Sequence, residues 1–134
     1  MQSIYRAYDV RGIYPDEVNA ESVKKIGRQC ARIFESGKVV ISQDGRHGGA
    51  ELRRAFCEGL LEEAGRTGRE FELIQVPLST SPMFYYLVGY YRASGGAMVT
   101  ASHNPKEYNG IKAVRREGDS VMFVSGTEIG AIEL

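Results

Sequence analysis

Short apolar runs alternate with helical patterns along this chain, and that alternation restricts its fold more than any other feature. Residues 20–36 carry Val23, Ile26, Gly27, Cys30, Ile33 and Phe34 at the i, i+3, i+4, i+7 spacing of one helix face. Asn19 is the expected N-cap and Gly37 the stop. KVVISQD follows and reads as a buried strand. Residues 49–65 form a second amphipathic helix with Leu52, Ala55, Phe56, Gly59 and Leu60 inward, ended by Gly65 and Gly68. FELIQVPL is the next strand. Ser81-Pro82 reads as N-cap and first-turn proline of a short apolar helix through Tyr91, and GAMVTAS as a third strand. Each helix must bury its apolar stripe against the sheet, so strands alternating with helices imply right-handed crossovers. The expected fold is α/β: a three-layer domain with a mostly parallel or mixed sheet flanked by helices.

The remaining segments fill in this frame. Residues 4–10 read as a short extended segment before a loop closed by Pro15-Asp16, and IKAVRREGDSVMFV as two strands around a turn at Glu117-Gly118-Asp119. Thr127 is a candidate cap for a final helix bearing Ile129 and Ile132, but the chain stops after about two turns, and isolated helices that short are marginal. The expectation is therefore one domain over residues 1–134, cut from something longer near its C-terminus.

Composition narrows the function classes. Lys plus Arg and Asp plus Glu both count 17, so the formal charge is zero. A dedicated nucleic-acid binder needs basic excess, leaving Arg115-Arg116 as only a local basic spot. No run approaches the roughly 18 apolar residues of a membrane span, and MQSIYRAYDV lacks the apolar core of a signal peptide. The expected location is cytoplasmic, with no nucleic-acid or membrane partner. Cys30 and Cys57 both fall in apolar helical patterns and are expected to be reduced and buried.

The chemistry concentrates in TASHNPKEYNG, residues 100–110, at a strand end where α/β sheets place their ligands. Ser102 could attack phosphorus or carry a phosphoryl group, given a base or electrostatic help. His103 is adjacent, but neighbouring side chains on an extended loop point apart, which disfavours a hydrolase-type Ser-His pair and leaves His103 to face a substrate. Lys112 lies ten residues on; a loop that folds back brings its ammonium near the serine, to neutralise a phosphate or move a proton. Gly95-Gly96 and Gly110 suit close approach and positive φ. Asn-Pro and Asn-Gly pairs are turn formers in any loop, so spacing alone also permits a merely polar turn.

The whole string GGAMVTASHNPKEYNGIK resembles the phosphoserine signature of the α-D-phosphohexomutases, the phosphomannomutase/phosphoglucomutase family. YDVRG at 8–12 resembles that family's N-terminal motif, and DGR at 44–46 its Asp-x-Arg segment. The resemblance runs from about Tyr5 to Glu133. It implies that hexose 1-phosphates and 6-phosphates are interconverted through a sugar 1,6-bisphosphate, which also serves as activator. It implies that Ser102 carries the phosphoryl group and binds Mg²⁺ through it, together with three aspartates. Lys112 and His103 become candidates for proton transfer and phosphate contact, and Arg11 and Tyr8 for substrate binding. The plain alternative for Arg11 is an ion pair with Asp9 or Asp16. Asp44 and Arg46 are expected to brace loops, and the tyrosines of FYYLVGYY to pack rather than bind sugar.

The sequence departs from the family pattern at Ser42, where Gly is common, at His47-Gly48-Gly49, which replaces a serine-containing turn, and at Ser81-Pro82, where Thr-Pro is common. The family's metal-binding aspartates, sugar-recognition loop and phosphate-binding loop belong to three further domains, and the chain holds no Asp-x-Asp-x-Asp run. It resembles the first of four domains, with the other domains as its partners, and is expected to be inactive alone. The alternatives are a stand-alone phosphate- or partner-binding domain, or the domain of a phosphoglucosamine mutase; Tyr108 before Asn109-Gly110 favours mannose or glucose phosphates. A serine hydrolase would need a G-x-S-x-G elbow, which is absent.

Overall fold

The computed structural model describes residues 3–134. The elements run β1 (Val10–Ile13), α1 (Ala20–Ile33), β2 (Gly37–Gln43), α2 (Gly49–Thr67), β3 (Phe71–Gln75), α3 (Ser81–Tyr90), β4 (Gly95–Val99), β5 (Tyr108–Glu117), β6 (Ser120–Val124) and α4 (Gly126–Gly130). The six strands form one mixed sheet in the order β1-β5-β4-β2-β3, with β6 also on β5. The pairs β3 with β2 and β2 with β4 are parallel, as helical crossovers require. β5 is antiparallel to β4, and β1 and β6 share its other edge, β1 along Tyr108–Ile111 and β6 along Ala113–Glu117.

The helices cover both faces. α1 and α2 close one core with Val39, Ile41, Ala97, Val99, Ile111 and Ala113 of the sheet. α3 closes the other through Phe84 and Val88 on Val40, Met98 and Val114. α1 starts where a full capping box forms: Asn19 accepts from the Ser22 N–H, and Ser22 accepts from the Asn19 N–H, each at 3.0 Å. Where α1 and α2 meet, a side chain on Gly27 would lie 2.2 Å from the Phe56 carbonyl and one on Gly59 2.0 Å from that of Lys24, so both helices approach backbone to backbone. Glu63, fully buried on α2, is bound by Arg28 at 3.2 Å and Arg32 at 2.7 Å from α1.

Several expectations need correction. The residue 4–10 segment contributes only a bridge between Tyr5 and Val10; the strand proper is Val10–Ile13, because Val10 is the residue that reaches the core. α1 stops at Ile33 rather than 36, and α2 continues through Gly65 to Thr67. Thr80, not Ser81, caps α3, its hydroxyl accepting from the Met83 N–H. Ser125, not Thr127, caps α4. Tyr108-Asn109-Gly110 is not a turn but the start of β5, since pairing with β1 satisfies its backbone. Cys30 is buried and Cys57 only half-buried; both are free thiols, and burial pushes each pKa up. The last helix is held by tertiary contact: Ile129 enters the core, and the Thr127 N–H donates to the Arg6 carbonyl at 3.0 Å.

Candidate active site

Strand parity brings the charged residues together. Ile111 and Ala113 point into the α1/α2 core, so Lys112 between them points to the α3 face, two residues before Val114 of that core. β1 pairs Val10 with Ile111 and Arg11 with Gly110; Val10 takes the α1/α2 side, so Arg11 takes the face of Lys112. β6 pairs Phe123 with Val114, placing Phe123 there as well. Gly110 is required by proximity: an added side chain would meet the Val10 carbonyl at 2.0 Å. Gly95, Gly96 and Gly110 are all needed for close approach; none has the positive φ that was the other expectation.

Beyond β4 the chain turns back through Thr100–Glu107 into β5. Ser102 takes φ 55°, the left-handed region that a non-glycine residue occupies only when its surroundings hold it there. Those surroundings are specific. The Ser102 N–H donates to the Thr100 hydroxyl at 3.0 Å, which donates to the Asp44 carboxylate at 2.5 Å. Arg46 donates to four carbonyls of the loop, those of Ser102 (2.6 Å), Asn104 (2.8 Å), Pro105 (2.8 Å) and Tyr108 (3.1 Å). Its Nε stays 3.5 Å from Asp44. The DGR segment thus braces the loop from inside, and its side chains are spent on that bracing. Asn104 adds a bond to the Ala101 carbonyl, and Asn109 one to the His47 carbonyl, both at 2.8 Å.

Tyr8, Asp9, Arg11, Ser102, Lys112 and Phe123 line one cleft of about 290 Å³. Four of the five residues singled out from the sequence therefore converge. The fifth, His103, is exposed in the turn and does not line the cleft. Asp9 and Phe123 are additions; Asp9 was visible inside YDVRG, whereas VMFV carries no local signal. Arg11 forms the ion pair with Asp9 that was its plain alternative, at 3.9 Å and so beyond hydrogen-bond distance, while also lining the cleft; it pairs with no Asp16 oxygen. Lys112 has no carboxylate partner among the described residues; its ammonium sits 6.0 Å over the Tyr85 ring. Asp9 is buried, and its Oδ1 lacks a hydrogen-bond partner. The cleft thus offers a strained serine and two cations, which suit a phosphate-bearing ligand, with the Asp9 carboxylate beside Arg11 as an acceptor. Larger grooves lack this convergence: one of about 700 Å³ along α1 is lined by Lys24, Arg28 and Glu62, which pair with one another. Arg115, the basic spot of the sequence, is committed to Glu128 and Glu117.

A family model described as phosphoglucomutase/phosphomannomutase, alpha/beta/alpha domain I, matches residues 2–129. The chain belongs to the phosphoglucomutase/phosphomannomutase family. It is 37% identical over 122 residues to phosphohexose mutases of Xanthomonas campestris, covering 91% of this chain and 26% of theirs. It is 33% identical over 122 residues to a phosphomannomutase of Escherichia coli, covering 91% of this chain and 25% of that one. A crystal structure of a phosphoglucomutase/phosphomannomutase family protein from Burkholderia thailandensis superposes with TM-score 0.73 at 30% identity, over 97% of this chain and 29% of that protein. The chain spans about a quarter of the length of these relatives and corresponds to domain I of the family. No helix among the described residues is long and apolar enough to cross a membrane.

Proposed function

We propose that this chain is the phosphoryl-carrying domain of a hexose-phosphate mutase, the first of four domains, with mannose or glucose phosphate as substrate. The observation that carries the reading is the convergence of Ser102 with Arg11 and Lys112 in one cleft. In the forward half-reaction a hexose-phosphate hydroxyl attacks the phosphorus of phosphorylated Ser102. The new P–O bond forms as the Ser102 Oγ–P bond breaks, the hydroxyl proton leaves, and the serine oxygen takes up a proton. The resulting 1,6-bisphosphate then presents its other phosphate, and the reverse transfer restores phosphorylated Ser102. Such transfers need positioning and charge neutralisation more than covalent assistance. A phosphoserine carries about −1.5 to −2 charges, and Arg11 and Lys112 are the neutralising groups. Lys112, which lines the same cleft as Ser102, is the proposed carrier of the proton at Oγ, and Tyr8 the proposed substrate contact. His103, outside the cleft, would contribute only by facing a substrate that extends over the turn.

Mg²⁺ would further screen the phosphoserine. A hard cation takes about six oxygens, and among the described residues no group of three His, Cys, Asp or Glu side chains could hold one. Ser102 would supply one phosphate to that shell, with water and carboxylates of another domain as the proposed source of the rest. Turnover by residues 1–134 alone is therefore expected to be nil, and the gene product in its own cells is expected to run several times larger than 14.8 kDa.

The test is a chimera in which this chain replaces the matching quarter of the Xanthomonas campestris phosphohexose mutase. Expected are conversion of mannose 1-phosphate, phosphate on the Ser102 peptide by mass spectrometry, and loss of both in Ser102→Ala. A chimera equally active with alanine at 102 would overturn the assignment. A native product of 14.8 kDa would favour instead a stand-alone phosphate- or partner-binding domain.

A further inference from the structure

We propose that Phe123 is a sugar-contact residue: with Tyr8 it forms an aromatic wall for the C–H face of a hexose whose phosphate lies between Arg11 and Lys112. The inference deepens the proposed function and rests on it. Phe123 enters the cleft through tertiary pairing, since its register with Val114 puts it on the face that carries Lys112. Phe123 is 61% exposed and Tyr8 84% exposed. A single exposed aromatic means little, but two lining one cleft with two cations form an amphipathic ligand surface. The Phe123 ring is also braced. It meets Tyr85 edge-to-face at 5.5 Å and 86°, and Tyr85 packs at 5.6 Å on the fully buried Phe84. A ring oriented before the ligand arrives loses little freedom on binding. The same Tyr85 ring lies beneath the Lys112 ammonium, so one side chain positions both the phosphate-binding cation and the aromatic wall. A pyranose phosphate matches this pattern, with a dianionic end for the cations and C–H surface for the rings. Inorganic phosphate matches only the first part.

The experiment compares two probes on the 134-residue chain. Amide chemical shifts are followed during titration with inorganic phosphate and with glucose 1-phosphate. Both should move the signals of Arg11, Ser102 and Lys112, and only glucose 1-phosphate those of Phe123 and its neighbours. Phe123→Ala should weaken glucose 1-phosphate by about fivefold, the worth of one aromatic contact, and leave inorganic phosphate unchanged. Phe123→Tyr should retain the preference, and Phe123→Ser repeats the truncation if the alanine variant misfolds. Equal effects of Phe123→Ala on both probes, or none on either, would overturn the inference while leaving the phosphate site standing. If neither probe moves the Ser102 and Lys112 signals of the parent chain, the cleft is no phosphate site, and both readings fall.

Discussion

Replacing Arg46 by alanine tests how the strained serine is held. The guanidinium donates to four loop carbonyls at 2.6–3.1 Å, and its side chain is 15% exposed. At about 1 kcal/mol net for each bond, the neutral-pair figure, the four sum to about 4 kcal/mol for Arg46→Ala. Pro105 is exposed and Asn104 partly so, and water can replace the guanidinium at their carbonyls. The loss expected by urea denaturation is therefore about 2–3 kcal/mol with an unchanged slope. Arg46→Lys should recover less than half of it, because an ammonium has three donors and no planar fork to span four acceptors. Amide exchange should accelerate across residues 102–108 in both variants while β2 and β4 stay protected. An alanine variant within about 0.5 kcal/mol of the parent, with slow exchange at 102–108, would show that the loop holds itself and that the bracing is incidental.

Further outcomes follow from the same contacts. At Ser102, whose φ is 55°, Ser102→Gly should be about 1 kcal/mol more stable than Ser102→Ala by thermal unfolding, since only glycine adopts that backbone without strain; equal stabilities would mean that the loop relaxes on substitution. Gly126→Ala would put a methyl 2.2 Å from the Asp9 carbonyl and 2.5 Å from that of Arg6. It should cost about 2–3 kcal/mol and shift the amide signals of Tyr8 and Arg11, and a silent spectrum there would count against α4 as the clamp on this turn. Burial pushes the Glu63 carboxyl up, but the hydrogen bonds of Arg32 and Arg28 outweigh it and hold the pKa below the ordinary 4.5. The stabilisation is thus present above that value and lost as pH falls through the lower, folded one. Glu63→Gln should destabilise at neutral pH, with the gap to the parent closing from about pH 4.5 downward; a gap constant to pH 3 would refute the charge argument.

What could be read from the sequence follows the distance over which each signal acts. α1 is set within its own segment by a capping box and a 3.6-residue period, and its start at Ala20 agrees with the expectation. The helices and central strands are patterned locally, so the three-layer class was legible before any contact was known. The serine loop stood out because the long string around it resembles one family's signature, where spacing alone left a merely polar turn open. Ser102, Lys112, Tyr8 and Arg11 came from such runs, as did the bracing role of Asp44 and Arg46.

The tertiary structure alone decided the rest. Which edge of β5 receives β1 depends on core burial summed over two distant segments, and that pairing puts Arg11 on the face of Lys112 rather than in solvent beside Asp16. Phe123 joins the cleft because parity and register are properties of strand pairs, not of strings, whereas His103 stays exposed in the turn between β4 and β5. The left-handed serine was likewise invisible, because the Thr100 hydroxyl that binds its N–H is itself fixed by Asp44, and its carbonyl by Arg46, both far away in the chain. The sequence by itself determined the layers through local periodicity and caps, and marked the serine loop through its resemblance to a family signature. Only long-range burial and pairing decided which side chains share the cleft.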